Sequence, residues 1–98
     1  MAELRVLVVD DEPLVREGLR AFLEREVDVR VLGEARNGGE AVERIRALRP
    51  DLVLLDVQMP GMDGLAVVAA LEPEERPAIV FVTAHGEYAI QEIGRAHV

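Results

Sequence analysis

Asp51-Leu52-Val53-Leu54-Leu55-Asp56 sets a continuous apolar run between two acidic residues. Two similar runs flank it in the chain, Val6-Leu7-Val8-Val9 and Ala78-Ile79-Val80-Phe81-Val82. Runs that are apolar throughout and rich in branched residues, rather than alternating, are the mark of strands whose two faces are both covered by helices, as in a parallel sheet. A fourth segment, Val29-Arg30-Val31-Leu32-Gly33-Glu34-Ala35, largely alternates and is expected at a sheet edge. Between the strands lie helical stripes: Val15, Leu19, Phe22 and Leu23; then Ala41, Val42, Ile45 and Leu48, closed by Pro50; then Leu65, Val68 and Leu71, ended by Pro73. The order β-α-β-α-β-α-β predicts an α/β fold with right-handed crossovers between parallel strands.

Composition bounds the chemistry. Ninety-eight residues make one domain at most. With two Phe and one Tyr as its only aromatics, the core must be built from Val, Leu, Ile and Ala. The absence of cysteine removes disulfides and thiolate chemistry. No stretch reads as a signal peptide or a membrane anchor, so a cytoplasmic protein without membrane contact is expected. A formal charge of −8 argues against direct nucleic-acid contact by this segment and favours cations or basic partners. All eleven basic residues are Arg, so no ammonium is available from within this chain.

The first strand ends in Asp10-Asp11-Glu12, the third in Asp56 and the fourth in Thr83. Parallel strands bring these groups to one rim, the carboxyl edge at which open α/β sheets bind ligands. Each has a simpler reading. Asp11, before Pro13, could cap the first helix, and Thr83 could be only a strand former. Asp56 gains nothing from packing and suffers from desolvation, so its position asks for a reason. Three carboxylates at one rim repel one another, and a small hard cation such as Mg²⁺ would relieve them and screen an incoming phosphate. Thr83 would then donate its hydroxyl to a phosphoryl oxygen. In the loop Val57–Gly64, Pro60-Gly61 suits a tight turn and Asp63 can cap the third helix.

These residues resemble the receiver domains of two-component response regulators. The match comprises Val8-Val9-Asp10-Asp11-Glu12, Asn37-Gly38 with Glu40-Ala41, Asp51 through Asp56, Met59-Pro60-Gly61-Met62-Asp63-Gly64, and Val82-Thr83-Ala84, running from about Leu4 to Gln91 in family order. The resemblance implies a flavodoxin-like (CheY-like) doubly wound parallel sheet with strand order 2-1-3-4-5. It implies a phosphoacceptor switch, not a classical enzyme: a sensor histidine kinase phosphorylates Asp56, and Mg²⁺ is held by Asp10, Asp11, Asp56 and the backbone carbonyl of Gln58. Thr83 matches the switch hydroxyl. Gln58 and His85 match positions that tune hydrolysis of the phosphoaspartate, although His85 also reads as an ordinary loop histidine. The output domain that such a switch controls is absent from this chain, and receiver dimerisation is compatible with the family.

Thr83-Ala84-His85-Gly86-Glu87-Tyr88-Ala89-Ile90 narrows the resemblance to receivers of the LytR/AlgR type, with a LytTR DNA-binding output, and reads as the start of a fourth helix. The family's lysine, fifth strand and fifth helix are not found. The receiver is therefore expected to span 1–91 in truncated form, with 92–98 a non-native tail and the edge of Ala78–Val82 left open. Two other functions compete. A haloacid-dehalogenase-type phosphatase also uses Mg²⁺ and an aspartate nucleophile, but on its first strand in an Asp-x-Asp pattern that Asp10-Asp11-Glu12 does not provide. A receiver fold used only as an interaction module would not need Asp10, Asp11, Asp56 and Thr83 together.

Overall fold

The computed structural model describes residues 3–82 and the backbone of 90–93. Its elements alternate as expected: β1 (Leu4–Val9), α1 (Pro13–Leu23), β2 (Val29–Ala35), α2 (Gly38–Leu48), β3 (Leu52–Asp56), α3 (Gly64–Ala70) and β4 (Ala78–Val82), with a 3-10 turn at Pro73–Glu75 before β4. The four strands are parallel in the order β2-β1-β3-β4. β2, the alternating strand, lies at the edge, and one of its residues is unmatched where the register slips between Val6 and Leu7. This is the doubly wound, CheY-like sheet that the apolar runs and the resemblance led us to expect.

The pleat explains why the runs are continuous. Leu7, Val9, Val53, Leu55, Ile79 and Phe81 face α2 and α3, where they pack with Ala41, Val42, Ile45, Val67 and Leu71 in one buried cluster. Val6 and Val8 alternate with them and are also fully buried, with α1 against β1 and β2. Two helical stripes differ from the sequence pattern. Leu65 is exposed and Val67 is buried instead, because α3 meets the sheet through Gly64 and Val67. On α1, Phe22 is exposed and no residue is fully buried.

At the edge of β4 the structure corrects the sequence reading. A four-residue strand, β5 (Ile90–Ile93), pairs antiparallel with β4, matching Val82 to Ile90 and Ile79 to Ile93. The edge expected to stay open is therefore hydrogen-bonded by the chain's own backbone, and Ile90, the last residue of the expected helix start, is strand. The physical reason is the one that made an open edge unfavourable, since unpaired strand N–H and C=O groups seek partners. β5 crosses the expected boundary between 91 and 92. The remainder of the expected helix start, Thr83–Ala89, and residues 94–98 lie outside the described residues.

Two glycines hold the connection after β3 against its neighbours. A Cβ on Gly64 would stand 2.5 Å from the Asp56 carbonyl oxygen and 2.9 Å from Phe81 Cε1, and one on Gly38 would stand 2.6 Å from Met62. Gly64 N–H also donates to the Val57 carbonyl at 3.0 Å. Overpacking at such a contact costs about 1–3 kcal/mol. Gly64→Ala should lower stability to urea by an amount in that range, whereas Gly18→Ala, whose added methyl meets nothing within 4 Å, should leave it unchanged or raise it.

Candidate functional site

The site is built where β1 and β3 run out. Asp10 directly follows β1, its N–H donating to the Ala35 carbonyl at 3.1 Å, and one carboxylate oxygen accepts the Glu12 N–H at 2.9 Å. Asp56, the last residue of β3, uses Oδ1 to accept the Gln58 N–H at 3.0 Å. Both acids are buried, at 2% and 6% exposure, in positions set by the packed strands before them. Asp11 is half-buried beside them. One carboxylate oxygen from each of Asp10, Asp11 and Asp56 lies within 4.8 Å of the other two.

This geometry decides between the two readings of Asp11. The N-cap of α1 is Glu12, no side chain caps that helix, and Pro13 occupies its first turn. Asp11 instead joins the carboxylate group. Asp63 does cap α3, accepting the Ala66 N–H at 2.9 Å. Gly61 has φ +79°, the conformation that a Pro-Gly turn requires of its glycine. Asn37 caps α2 in the same way as Asp63 caps α3, accepting the Glu40 N–H.

Burial and crowding shift the acids. Asp56 is pushed from its ordinary 3.8 up to about 6, chiefly by burial, against the opposing pull of the Gln58 N–H and with the charges of Asp10 and Asp11 adding to the rise. Asp10 is also raised, again mainly by burial, while the Glu12 N–H and the Arg16 charge oppose. A cluster of this kind can hold a divalent cation, because a cation removes the repulsion that the fold imposes. The donor set fits: hard carboxylate oxygens, converging, with no cationic side chain among the three.

Of the residues singled out in the sequence, the structure brings together Asp10, Asp11 and Asp56, with Gln58 adjacent through its N–H. Thr83 and His85 lie outside the described residues. Sequence reasoning missed Arg16, whose Nη1 donates to the Asp10 carbonyl at 2.7 Å. The only sequence signal was its place one turn into α1, and a charged residue there reads as a solvated face.

With fold and site in view, the comparisons are unambiguous about class. The response regulator receiver domain family matches residues 6–96, and the chain belongs to it. It is a phosphorelay receiver whose acceptor cluster is centred on aspartates. The transcriptional regulatory protein BtsR of Escherichia coli K12 is 51% identical over 88 residues, which cover 90% of this chain and 37% of that protein. The chain thus spans little more than a third of the curated relatives it matches. Among solved structures, a signal receiver domain assigned to NarL from Mycobacterium tuberculosis is 45% identical with a TM-score of 0.80, covering 89% of this chain and 71% of that one. A LuxR-family two-component regulator from Aurantimonas is 34% identical with a TM-score of 0.75, covering 86% and 61%. The narrower LytR/AlgR assignment is corrected to the class these relatives share, a CheY-like response-regulator receiver, and the LytTR output is not carried forward. The segment that suggested the narrower type lies, apart from Ile90, outside the described residues. Among the described residues no helix is long and apolar enough to cross a membrane.

A raised carboxylic pKa has a definite consequence for stability. Its stabilising contribution is complete below the unfolded value near 3.8 and is lost as pH rises through about 6. Glu34, Glu40 and Glu75 are shifted down and act with opposite sign, at lower pH. In EDTA, the melting temperature of the native chain should therefore fall relative to that of Asp56→Asn between pH 5 and pH 7, and thermal melts across that range check it. A constant difference between the two proteins would contradict the shift.

Proposed function

We propose that Asp56 accepts a phosphoryl group from the phosphohistidine of a sensor histidine kinase, with Mg²⁺ held by Asp10, Asp11, Asp56 and the backbone carbonyl of Gln58. The observation that carries this reading is the convergence of three carboxylates, two of them buried, on the carboxyl edge of the sheet. An Asp56 carboxylate oxygen displaces the imidazole nitrogen at phosphorus. The P–O bond forms, the P–N bond breaks, and the electron pair returns to the imidazole, which takes its proton from solvent. Bound Mg²⁺ supplies neutralisation of the acceptor and phosphoryl charges. The chain's own part is to hold Asp56 at the end of a rigid strand, keep its Oδ1 oriented through the Gln58 N–H, and limit water around it.

In this reading Thr83 donates its hydroxyl to a phosphoryl oxygen and so connects acceptor to switch, while Gln58 and His85 influence how long the acyl phosphate lasts. The switch acts on an output segment of a longer protein in the cytoplasm, by analogy with BtsR, a transcriptional regulatory protein.

Incubation with acetyl phosphate, followed by mass spectrometry, should show one added phosphoryl group that requires Mg²⁺ and disappears in Asp56→Ala. Equal labelling of that variant, or full labelling in EDTA, would show that the acceptor lies elsewhere. The roles also divide. In a Mg²⁺ titration, Asp11→Ala should bind at least about tenfold more weakly, since it loses a charged ligand, and Thr83→Ala should bind as the native chain does. Equal losses in both would contradict the assignment.

A further inference from the structure

Asp10 is held at three points, and two of them are backbone. Its N–H is bound by Ala35 on β2 and its carboxylate by the Glu12 N–H. The third is its carbonyl, which accepts Nη1 of Arg16 at 2.7 Å. The same guanidinium donates through Nε to Glu34 Oε1 at 2.9 Å, and Glu34 is the neighbour of Ala35 on β2. Glu34 Oε2 in turn accepts Nη1 of Arg20 at 3.0 Å, and Arg20 also pairs with Glu24. The Arg16 side chain is only 16% exposed, against 38% for Arg20, so the Arg16 bonds are the shielded ones.

We propose that Arg16 is a positioning residue for the acceptor site. Its guanidinium ties the turn after β1 to Glu34 on β2 and so fixes the carboxylates of Asp10 and Asp11 for the cation. A planar fork with several donors suits the task, because one group reaches a carbonyl and a carboxylate at once and keeps their separation fixed. Glu34 has a second part. A cation so near a cation site would by charge alone oppose metal binding, and Glu34 offsets that charge while it holds the guanidinium through Nε.

The two effects of Arg16 have opposite sign, which makes the inference decidable. As a bare like charge, Arg16 lowers Mg²⁺ affinity, and removing it would tighten binding. As a positioning residue it raises affinity, and removing a group that orients a metal ligand typically weakens binding by about 10–100-fold.

The proposal rests on reading the carboxylate cluster as a Mg²⁺ site, and one titration separates the two claims. Mg²⁺ alone is titrated into the full chain while the amide resonances of Asp10–Glu12 are followed by NMR. Arg16→Gln should weaken binding about tenfold; Arg16→Lys, which keeps the charge and loses the fork, should fall in between. Adding Glu34→Gln to Arg16→Gln should weaken binding no further, because both act through one contact. Arg5 is the control: it binds the Leu48 and Arg49 carbonyls, each at 2.7 Å, at the far edge of the sheet. Arg5→Gln should lower the melting temperature without changing Mg²⁺ affinity. Unchanged or tighter binding in Arg16→Gln, or equal losses in Arg5→Gln, would overturn the role of Arg16. Should Arg16→Gln not fold, Arg16→Lys decides alone, and native affinity in that variant overturns the proposal. A native chain that binds no Mg²⁺ would instead overturn the reading of the site itself.

Discussion

Three carboxylates that repel one another are held together by strands that cannot move apart. Asp10 directly follows β1 and Asp56 ends the adjacent β3, and the residues before them, Val6 to Val9 and Val53 to Leu55, are almost all fully buried. Relaxing the repulsion by separating the acids would mean opening the sheet between β1 and β3 and exposing that apolar surface. At about 25 cal/mol per Å² of buried apolar area, exposing even a few such side chains costs more than modest carboxylate repulsion returns. The acids therefore stay buried and crowded, and the raised pKa of Asp56 shows it, chiefly through burial with the charges of Asp10 and Asp11 adding. That burial and crowding become a driving force for whatever positive charge or proton reaches the site.

The rest of the molecule maintains that constraint. Gly64 lets α3 close against the carbonyl of Asp56, and Gly38 lets α2 press on Met62 in the loop that follows. Both contacts leave no room for a methyl group, so the acceptor is backed by helices on one face of the sheet. On the other face α1 has no fully buried residue of its own, and its connection to the site is polar, through Arg16 and Glu34. The acceptor rim thus rests on close packing behind Asp56 and on a charged network beside Asp10.

Much of this was legible in the sequence, for identifiable reasons. The strands and their parallel order follow from apolar runs such as Leu52–Leu55, and the candidate acids follow from polar residues placed where those runs stop. What was not legible has physical causes as well. A single stripe on a short helix such as α3 leaves its rotation undetermined, and the close approach at Gly64 turned Val67 rather than Leu65 inward. The pairing of β5 with β4 depends on backbone groups, which carry no side-chain signature. The cap reading of Asp11 was sound locally and lost to a tertiary arrangement. Arg16 was invisible because its partners, a carbonyl and a strand residue eighteen positions away, meet only in the fold.

The central claim, that packing holds the acceptor carboxylate buried among like charges in a state that a cation relieves, can be read at one atom. The side-chain carboxyl carbon of Asp56 can be followed by ¹³C NMR through a pH titration, first in EDTA and then with saturating Mg²⁺. The account predicts a midpoint near 6 without metal and a marked drop when Mg²⁺ is present. A midpoint at the ordinary 3.8 that Mg²⁺ does not move would contradict it.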